Sequence, residues 1–239
     1  MNRNFGAIVI AFGVASLGVA HAAEPVKPWA GEVEAGIIVT SGNTDTQNIS
    51  AKAKVVNNRD KWRHTGKLEA LQSENTNVTT AERYLASGKS DYKLTDIDYL
   101  FGTIDYEDDK FSGYDYRATE VLGYGRRVLS TPSMTLELEV GAGSRQSKLT
   151  SSGDTNSEGL ARLAGNYNWK ISDTTTFSEE LTVDAGSDST ISKSVTGLKS
   201  QVAGNLATRI TLTVKNTSDV PVGVEKTDRE TAVTLVYGF

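Results

Sequence analysis

The amino-acid sequence predicts an all-β protein: a closed transmembrane antiparallel β-barrel of about 12 strands. Three observations predict it. The last strand alternates apolar and polar residues, the same period of two recurs along the chain, and short connections alternate with longer ones. Because a bilayer leaves an open sheet edge without hydrogen-bond partners, a sheet that spans it has to close into a barrel.

The C-terminal segment 231–239 shows the alternation most clearly. Val233, Leu235, Tyr237 and Phe239 follow one another in steps of two, and the residues between them are smaller or more polar on average. Successive side chains of a strand point to opposite faces. One face is therefore apolar and ends in an aromatic pair, which is typical of the lipid-facing band of an outer-membrane barrel. The terminal Phe239 also predicts recognition by the barrel-assembly machinery.

The N-terminal residues 1–22 are predicted to be a signal peptide. Arg3 supplies a positive charge, residues 5–19 are almost uninterruptedly apolar, and Ala20-His21-Ala22 fits the small-x-small cleavage pattern. The apolar run is shorter than the ~20 residues that a spanning helix needs. We expect cleavage after Ala22, a short periplasmic segment over 23–30 and the barrel over 31–239.

Segments with a period of two follow one another through the rest of the chain. In the first half they lie at 32–39, 51–56, 62–70, 83–92, 97–102 and 114–124. In the second half they lie at 134–141, 162–169, 177–184, 198–206, 210–215 and 231–239. A soluble β-sandwich would alternate as well. One strand together with its connection, however, takes roughly 18 residues, which is long for a sandwich and fits the tilted strands of a membrane barrel.

The connections also alternate in character. The short ones are 57–60, 94–96, 130–133, 172–174 and a turn near 207–208. The longer or more polar ones are 41–46, 74–80, 107–112, 149–157, 186–190 and 219–227. Since outer-membrane barrels have short periplasmic turns and long outer loops, this asymmetry predicts which end faces outside.

The charges sort between the same two ends. Basic residues lie near the short turns: Arg59, Lys61, Lys93, Arg126, Arg127, Lys170 and Arg209. Acidic residues lie in or beside the long loops: Asp45, Glu74, Glu107, Asp108, Asp109, Asp154, Glu158, Asp188 and Asp219. We therefore expect basic periplasmic turns and acidic outer loops.

The composition excludes several classes of protein. The chain has no cysteine, which excludes disulfides, thiol chemistry and attachment of a lipoprotein lipid. Its 25 basic and 30 acidic residues give a net charge of −5, and no basic run occurs, so we expect no nucleic-acid partner. A hydrophobic content of 38% fits a barrel as well as a soluble protein, because only alternate residues of a barrel strand face lipid.

His64 is the only histidine outside the predicted signal peptide. It has the parity of the apolar face and lies beside Trp62, which favours an interfacial position over catalysis. A Ser-His-Asp lipase would need a serine and a carboxylate beside it, and no nucleophile motif indicates them. An acidic-pair protease also stays open, although no two carboxylates stand out. We assign no catalytic, cofactor-binding or metal-binding residue, and we predict that the protein is not an enzyme.

Glu107, Asp108 and Asp109 could supply oxygen ligands to Ca²⁺ or Mg²⁺. Consecutive residues at a strand end point in alternate directions, so one cation cannot easily use all three. We favour a solvated acidic loop tip, and a calcium site in the loop 41–46 is a weaker alternative.

Charged residues that alternate with the apolar ones along the predicted strands are expected to face the lumen. They are Lys52, Lys54, Lys67, Glu69, Arg83, Lys89, Arg117, Glu137, Glu139, Arg162, Glu180 and Lys199. Buried charges have to be paired or wet. A mostly closed, salt-bridged lumen is favoured over a conducting pore. Glu120 and Glu179 have lipid-facing parity, so we expect a bulge or a position near a rim to accommodate them.

Several segments resemble the salt-induced outer-membrane protein family, also called YdiY-like. They are Thr40-Ser-Gly-Asn-Thr-Asp-Thr46, Lys61-Trp-Arg-His64, Glu82-Arg-Tyr84, Asp91-Tyr-Lys-Leu-Thr-Asp96, Asp109-Lys-Phe-Ser-Gly-Tyr114, Gly123-Tyr-Gly-Arg126 and Tyr237-Gly-Phe239. The resemblance runs from about residue 30 onwards. Gly123-Tyr-Gly-Arg126 departs from the pattern, where another aromatic residue would precede the arginine. The resemblance implies an outer-membrane barrel and no catalytic residues.

The sequence thus predicts a non-catalytic protein of the Gram-negative outer membrane, either a structural component related to salt stress or a narrow passive channel. An outer-membrane enzyme acting on lipid or peptide is the alternative. Expected partners are outer-membrane lipid, lipopolysaccharide and, through Phe239, the assembly machinery, and we expect a monomer without cofactors. Divalent cations that bridge acidic loops to lipopolysaccharide phosphates would be one mechanism.

Overall fold

The computed structural model describes residues 28–41, 46–75, 78–110 and 112–239. Twelve strands make up the fold: β1 (Trp29–Ser41), β2 (Thr46–Asn58), β3 (Trp62–Asn75), β4 (Val78–Lys93), β5 (Asp98–Asp109), β6 (Tyr114–Ser130), β7 (Met134–Leu149), β8 (Thr155–Lys170), β9 (Thr175–Gly186), β10 (Thr190–Ala203), β11 (Leu206–Thr217) and β12 (Thr227–Gly238). These residues include no apolar helix of membrane-spanning length.

Some predictions concern residues outside this range. The predicted signal peptide 1–22, most of the segment 23–30 and the tips of the loops 41–46 and 74–80 are not among the described residues. The strand β1 begins at Trp29, slightly before the predicted barrel boundary at residue 31.

Each strand pairs antiparallel with the next one along the chain, and β1 pairs with β12. Val33 lies opposite Tyr237 in this closing pair. Gly31 N donates to Phe239 O and Phe239 N donates to Gly31 O, both at 2.9 Å. The sheet therefore has no open edge, which confirms the predicted barrel of 12 antiparallel strands.

The connections define two ends of the barrel. We call the end with connections 59–61, 94–97, 131–133, 171–174 and 204–205 the short-turn end, and both Trp29 and Phe239 lie there. The opposite end, the long-loop end, includes connections 110–113, 150–154, 187–189 and 218–226. The connections 110–113, 150–154 and 187–189 are shorter than predicted, because the strands extend into segments that were expected to be loops, whereas 218–226 has the predicted length.

The turn between β10 and β11 was misplaced by the sequence pattern. The prediction ran the tenth strand through Leu206 and put the turn near 207–208, and this is wrong. β10 ends at Ala203, and Leu206 begins β11. Gly204 adopts φ +52°, a left-handed conformation that glycine accepts without steric cost.

The outer surface carries the predicted apolar band. Large apolar side chains exposed there include Val33, Ile37, Leu68, Ile104, Leu122, Val140, Leu163, Leu181, Ile210 and Leu235. Aromatic residues border the band. Trp62 lies 5.0 Å from Tyr92 towards the short-turn end, and Tyr106 stacks on Tyr116 at 5.9 Å towards the long-loop end. The two aromatic borders match the interfacial girdles of membrane barrels.

A small apolar core lies inside the barrel, against β5–β8. Tyr99, Phe101, Val121 and Leu160 are buried together. The adjoining wall is built from glycines where these rings approach the backbone. A Cβ atom at Gly125 would overlap the Tyr99 ring, so only glycine allows this close contact. The core narrows the lumen on this side.

Candidate functional site

The lumen contains a cavity of about 550 Å³ whose wall is dominated by charged side chains. The cavity runs from Glu32 and Arg209, towards the short-turn end, to Lys215 and Asp228, towards the long-loop end. Of the charged residues predicted to face the lumen, all except Glu137 line this cavity, and Glu137 contacts other inward side chains. The inward parity predicted from the sequence is therefore confirmed.

Among the described residues, two ion pairs join diametrically opposite strands across the lumen. Lys67 Nζ on β3 donates to Glu180 Oε2 on β9 at 2.8 Å. Lys215 Nζ on β11 donates to Glu107 Oε1 on β5 at 2.6 Å. In a closed ring of twelve strands, β3 and β9 are diametrically opposite, and so are β5 and β11. The side chains therefore act as crossbars that divide the interior.

Glu107 does not lie at a solvated loop tip, so that prediction is wrong. The strand β5 continues to Asp109, and its alternation turns Glu107 into the lumen, where Arg117 Nη2 donates to it at 2.6 Å. Asp108 has the opposite parity and lies across from Tyr84. Consecutive acids do point to opposite faces, as predicted. Within the described ranges no cluster of three or more metal-ligating side chains occurs.

A network of ion pairs fills the β3–β7 side near the short-turn end. Arg63 Nε donates to Asp91 Oδ2 at 2.6 Å, and its two terminal nitrogens donate to Glu137 at 3.0 and 2.9 Å. Arg127 Nη2 donates to the same Glu137 at 2.9 Å. One carboxylate thus joins two arginines from neighbouring parts of the wall. Arg127 lies near a short turn, as predicted, and its guanidinium also binds an inward carboxylate.

A second network occupies the opposite wall. Arg209 Nη2 donates to both carboxylate oxygens of Glu32 at 2.9 Å and its other terminal nitrogen bonds Glu34. Lys199 Nζ reaches Glu32 Oε2 at 3.2 Å. Because the turn lies at 204–205, Arg209 belongs to β11 and points inward. Arg209 therefore lies towards the short-turn end, as predicted, with its guanidinium in the lumen.

Arg162 organises the middle of the β5–β9 wall. Its Nε and Nη2 donate to Asp184 at 2.6 and 2.7 Å, and Nη1 donates to Asp105 at 3.0 Å. Asp105 and Asp184 were not among the charged residues predicted to line the lumen. Their parity was readable, because Asp184 lies an even number of residues from Glu180 on the same strand.

Arg145 fixes the connection 187–189 at the long-loop end. It is 2% exposed and Nη2 donates to Glu158 Oε1 at 2.5 Å and to Ser189 O at 2.6 Å. The backbone N–H groups of Asp188 and Ser189 donate to Glu158 Oε2 at 2.8 and 3.2 Å. Glu158 lies beside a long-loop connection, as predicted, and its half-buried carboxylate also anchors the neighbouring connection.

The connection 218–226 extends across the mouth of the barrel. A Cβ atom at Gly113 would lie 3.0 Å from Pro221 Cγ and 3.2 Å from Val224 Cγ2. Gly113 belongs to the β5–β6 connection, diametrically opposite the β11–β12 connection. Its φ of +79° favours glycine at this contact. The long-loop mouth is therefore partly covered.

The two carboxylates with lipid-facing parity lie on the outer surface, and the strand pairing has no bulge at either position, so the first of the two expected explanations does not apply. Glu179 accepts hydrogen bonds from Ser194 Oγ at 2.6 Å and Thr196 Oγ1 at 2.5 Å. Glu120 is exposed and lies across from Ser144 and Ile104. The hydroxyl groups of Ser194 and Thr196 on the neighbouring strand stabilise the Glu179 carboxylate.

His64 lies on the outer face, as predicted, and stacks on Trp62 with 5.6 Å between ring centroids. Its Nδ1 is 2.9 Å from Ser90 Oγ. Asn57 lies across from His64 on β2, but its amide donates to Pro28 O at 3.2 Å and accepts from Arg59 Nε at 3.0 Å. The described residues therefore provide a His–Ser pair without a third group that orients the imidazole.

Exposed ion pairs mark the two rims. Lys110 Nζ donates to Glu82 Oε1 at 2.6 Å at the long-loop end, and this hydrogen bond raises the pKa of Lys110. Lys170 Nζ donates to Asp173 Oδ1 at 2.9 Å in a short turn, and this bond lowers the pKa of Asp173. Exposed pairs of this kind contribute little to stability.

The closed sheet, the apolar outer band and the charged interior define a transmembrane β-barrel protein. The chain belongs to the family described as "Protein of unknown function, DUF481", whose model matches residues 33–239. It is 29% identical over 216 residues to "Uncharacterized protein YdiY" of Escherichia coli (strain K12), covering 89% of this chain and 84% of that protein. The resemblance to a YdiY-like family is confirmed.

Solved structures of similar fold carry porin and channel titles. The "NanC porin" has a TM-score of 0.59 and 12% identity, covering 86% of this chain and 98% of its own. An outer membrane channel from Pseudomonas putida F1 has a TM-score of 0.50 and 12% identity, covering 91% of this chain and 97% of its own. At these identities the likeness shows a shared fold.

Proposed function

We propose that this protein resides in the bacterial outer membrane and acts there as a narrow passive channel braced by ion pairs. The observation that carries the proposal is the cavity of about 550 Å³ in the lumen, whose lining extends from Glu32 to Asp228. The porin and outer-membrane-channel titles of barrels with the same fold support it. This proposal favours conduction over the closed lumen that the sequence pattern favoured.

The two crossbar ion pairs limit the size of the solutes that can pass. Lys67–Glu180 and Lys215–Glu107 leave space beside them rather than an open bore, so ions and small hydrated solutes are the expected cargo. Charged groups on the wall replace part of the hydration of a passing ion. Because the side chains that narrow the lumen are long and partly solvated, we expect small and fluctuating conductance.

The proposal includes an orientation of the barrel in the outer membrane. The short-turn end faces the periplasm and the long-loop end faces outside, with outer-membrane lipid and lipopolysaccharide around the barrel. Phe239 directs recognition by the assembly machinery, the chain acts as a monomer, and its role is non-catalytic. Since salt screens ion pairs, raised ionic strength is expected to loosen the lumen network, which supports a role under salt stress.

The test is heat-modifiable gel mobility of the purified protein, followed by planar-bilayer recording of the same sample. A band that shifts on boiling, together with discrete current steps, is expected. A shift without current would contradict the channel and leave a closed structural barrel.

One observation favours a second candidate, an outer-membrane enzyme acting on lipid. The 2.9 Å contact between His64 Nδ1 and Ser90 Oγ has the length of a base–nucleophile hydrogen bond and lies on the lipid-facing surface. The second candidate is tested by the loss of lipid hydrolysis on substitution of either residue.

A further inference from the structure

The wall of the lumen has the opposite charge balance to the whole chain. The chain carries a formal net charge of −5. The cavity, in contrast, is lined by twelve lysine or arginine side chains and ten aspartate or glutamate side chains. Positive charge therefore exceeds negative charge in the one space where a solute would pass.

Lys54 is one source of this excess. It lies across from Glu32 on β1 and Lys67 on β3. Both neighbours are engaged, because Glu32 binds Arg209 and Lys199 while Lys67 binds Glu180. Within the described part of the chain, Lys54 forms no ion pair, although the carboxylate directly opposite it would be its natural partner.

Lys193 repeats the arrangement on the other side of the barrel. It lies across from Thr182 on β9 and Lys215 on β11. Lys215 is bound to Glu107 across the lumen. Among the residues that the structure describes, Lys193 likewise has no ion pair. Each crossbar thus has a second lysine beside it that forms no close ion pair among the described residues.

The two lysines lie at different depths of the same cavity. Lys54 is near the end of β2 that approaches the short-turn end, and Lys193 is near the start of β10 at the long-loop end. Neutral hydrogen-bonding side chains also line the cavity on β8 and β9, and Thr182 lies directly across from Lys193; they are Asn166, Asn168, Ser178 and Thr182. An ammonium group with neutral donors near it is suited to a small anion, since buried charges require a partner or water.

We propose that Lys54 and Lys193 form binding positions for small anions, such as phosphate or short carboxylates, along the lumen. Binding itself needs only the folded barrel. The consequence that the pore prefers anions over cations rests on the proposed channel function. A passing anion would exchange between a position beside the Lys67–Glu180 crossbar and one nearer the long-loop end.

The first measurement is calorimetric titration of inorganic phosphate into the folded protein in detergent, at constant ionic strength. K54Q/K193Q is expected to bind phosphate about tenfold more weakly, because charge-assisted hydrogen bonds are lost. K54R should retain binding. The matched control is K52Q/E69Q, which removes an ion pair of 3.2 Å in the same cavity without changing its net charge and should bind like the unmodified protein.

The second measurement is the reversal potential in a potassium chloride gradient. Anion preference is expected for the unmodified protein and cation preference for K54E/K193E, with heat-modifiable mobility as the check that each variant folds. No phosphate binding by the unmodified protein, or equal binding by K54Q/K193Q, would overturn the anion site. Phosphate binding without any current would overturn the channel and leave the anion site standing.

Discussion

Lys67 Nζ lies 2.8 Å from Glu180 Oε2, although the two residues come from strands on opposite sides of the barrel. A salt bridge between adjacent strands would leave the lumen open. This one passes through its centre, so it holds two walls together and reduces the space that a solute can use. The same description applies to Lys215 and Glu107.

Substitution E180Q is expected to widen the conducting path and to lower stability modestly. The change removes the charge that holds Lys67 across the lumen. Both side chains are partly solvated, so we expect a loss of about 1 kcal/mol in the free energy of unfolding. Single-channel conductance and urea titration of the heat-modifiable band are the measurements. The control D173N, in an exposed turn pair, should change neither, and unchanged conductance in E180Q would argue against the crossbar.

Substitution G123A is expected to prevent normal folding. A Cβ atom there would overlap the carbonyl oxygen of Val140 and the ring of Phe101, and overpacking of this kind costs at least ~3 kcal/mol. The matched control is G88A, also in a strand, where nothing lies within 4 Å of the added atom. G88A should stay within about 0.5 kcal/mol of the unmodified protein. Equal stability of the two variants would contradict the close packing inside β5–β8.

Shortening the connection 218–226 to a tight Gly-containing turn is expected to increase conductance without loss of the barrel. Pro221 and Val224 contact Gly113 on the far side of the mouth, and the flanking strands keep their pairing when the connection is removed. Bilayer recording before and after the change measures the effect. Shortening the connection 150–154 is the control, and an equal increase there would show that the covering contact has no specific effect.

Deletion of Phe239 is expected to impair both closure and assembly. The deletion removes the two 2.9 Å backbone hydrogen bonds with Gly31 and the ring that packs over that glycine. F239L keeps the backbone bonds, so it should fold in detergent while assembling less well in cells if the terminal aromatic ring is recognised. Heat-modifiable mobility in detergent and in isolated outer membranes separates the two effects. Normal assembly of F239L would remove the recognition role.

Substitution H64A or S90A is expected to leave folding and conductance unchanged, because the pair lies on the outer face away from the cavity. The measurement is release of fatty acid from labelled phospholipid in mixed micelles. No hydrolysis by the unmodified protein is the result expected for a passive barrel. Hydrolysis that disappears in both variants would establish the enzyme instead.

The period of two in the sequence predicted the barrel, the inward charges and the apolar band. Alternation decides which face a residue takes, and Leu138 against Glu139 needs no tertiary information to be assigned. Parity also indicated Lys52, Lys67 and Glu180 as lumen residues. It did not locate the strand ends: Glu107 was expected in a loop and the β10–β11 turn near 207–208, because parity says nothing about where a strand ends.

The sequence by itself determined that one face of each strand is charged and that the sheet has to close, since lipid cannot satisfy a sheet edge. Only the tertiary structure decided which charges meet. Lys67 and Glu180 are 113 residues apart in the chain, and their contact depends on the number of strands and their stagger round the ring. The tertiary structure also decided that Lys54 and Lys193 form no close ion pair among the described residues, because the carboxylates near them are bound by cations from other strands.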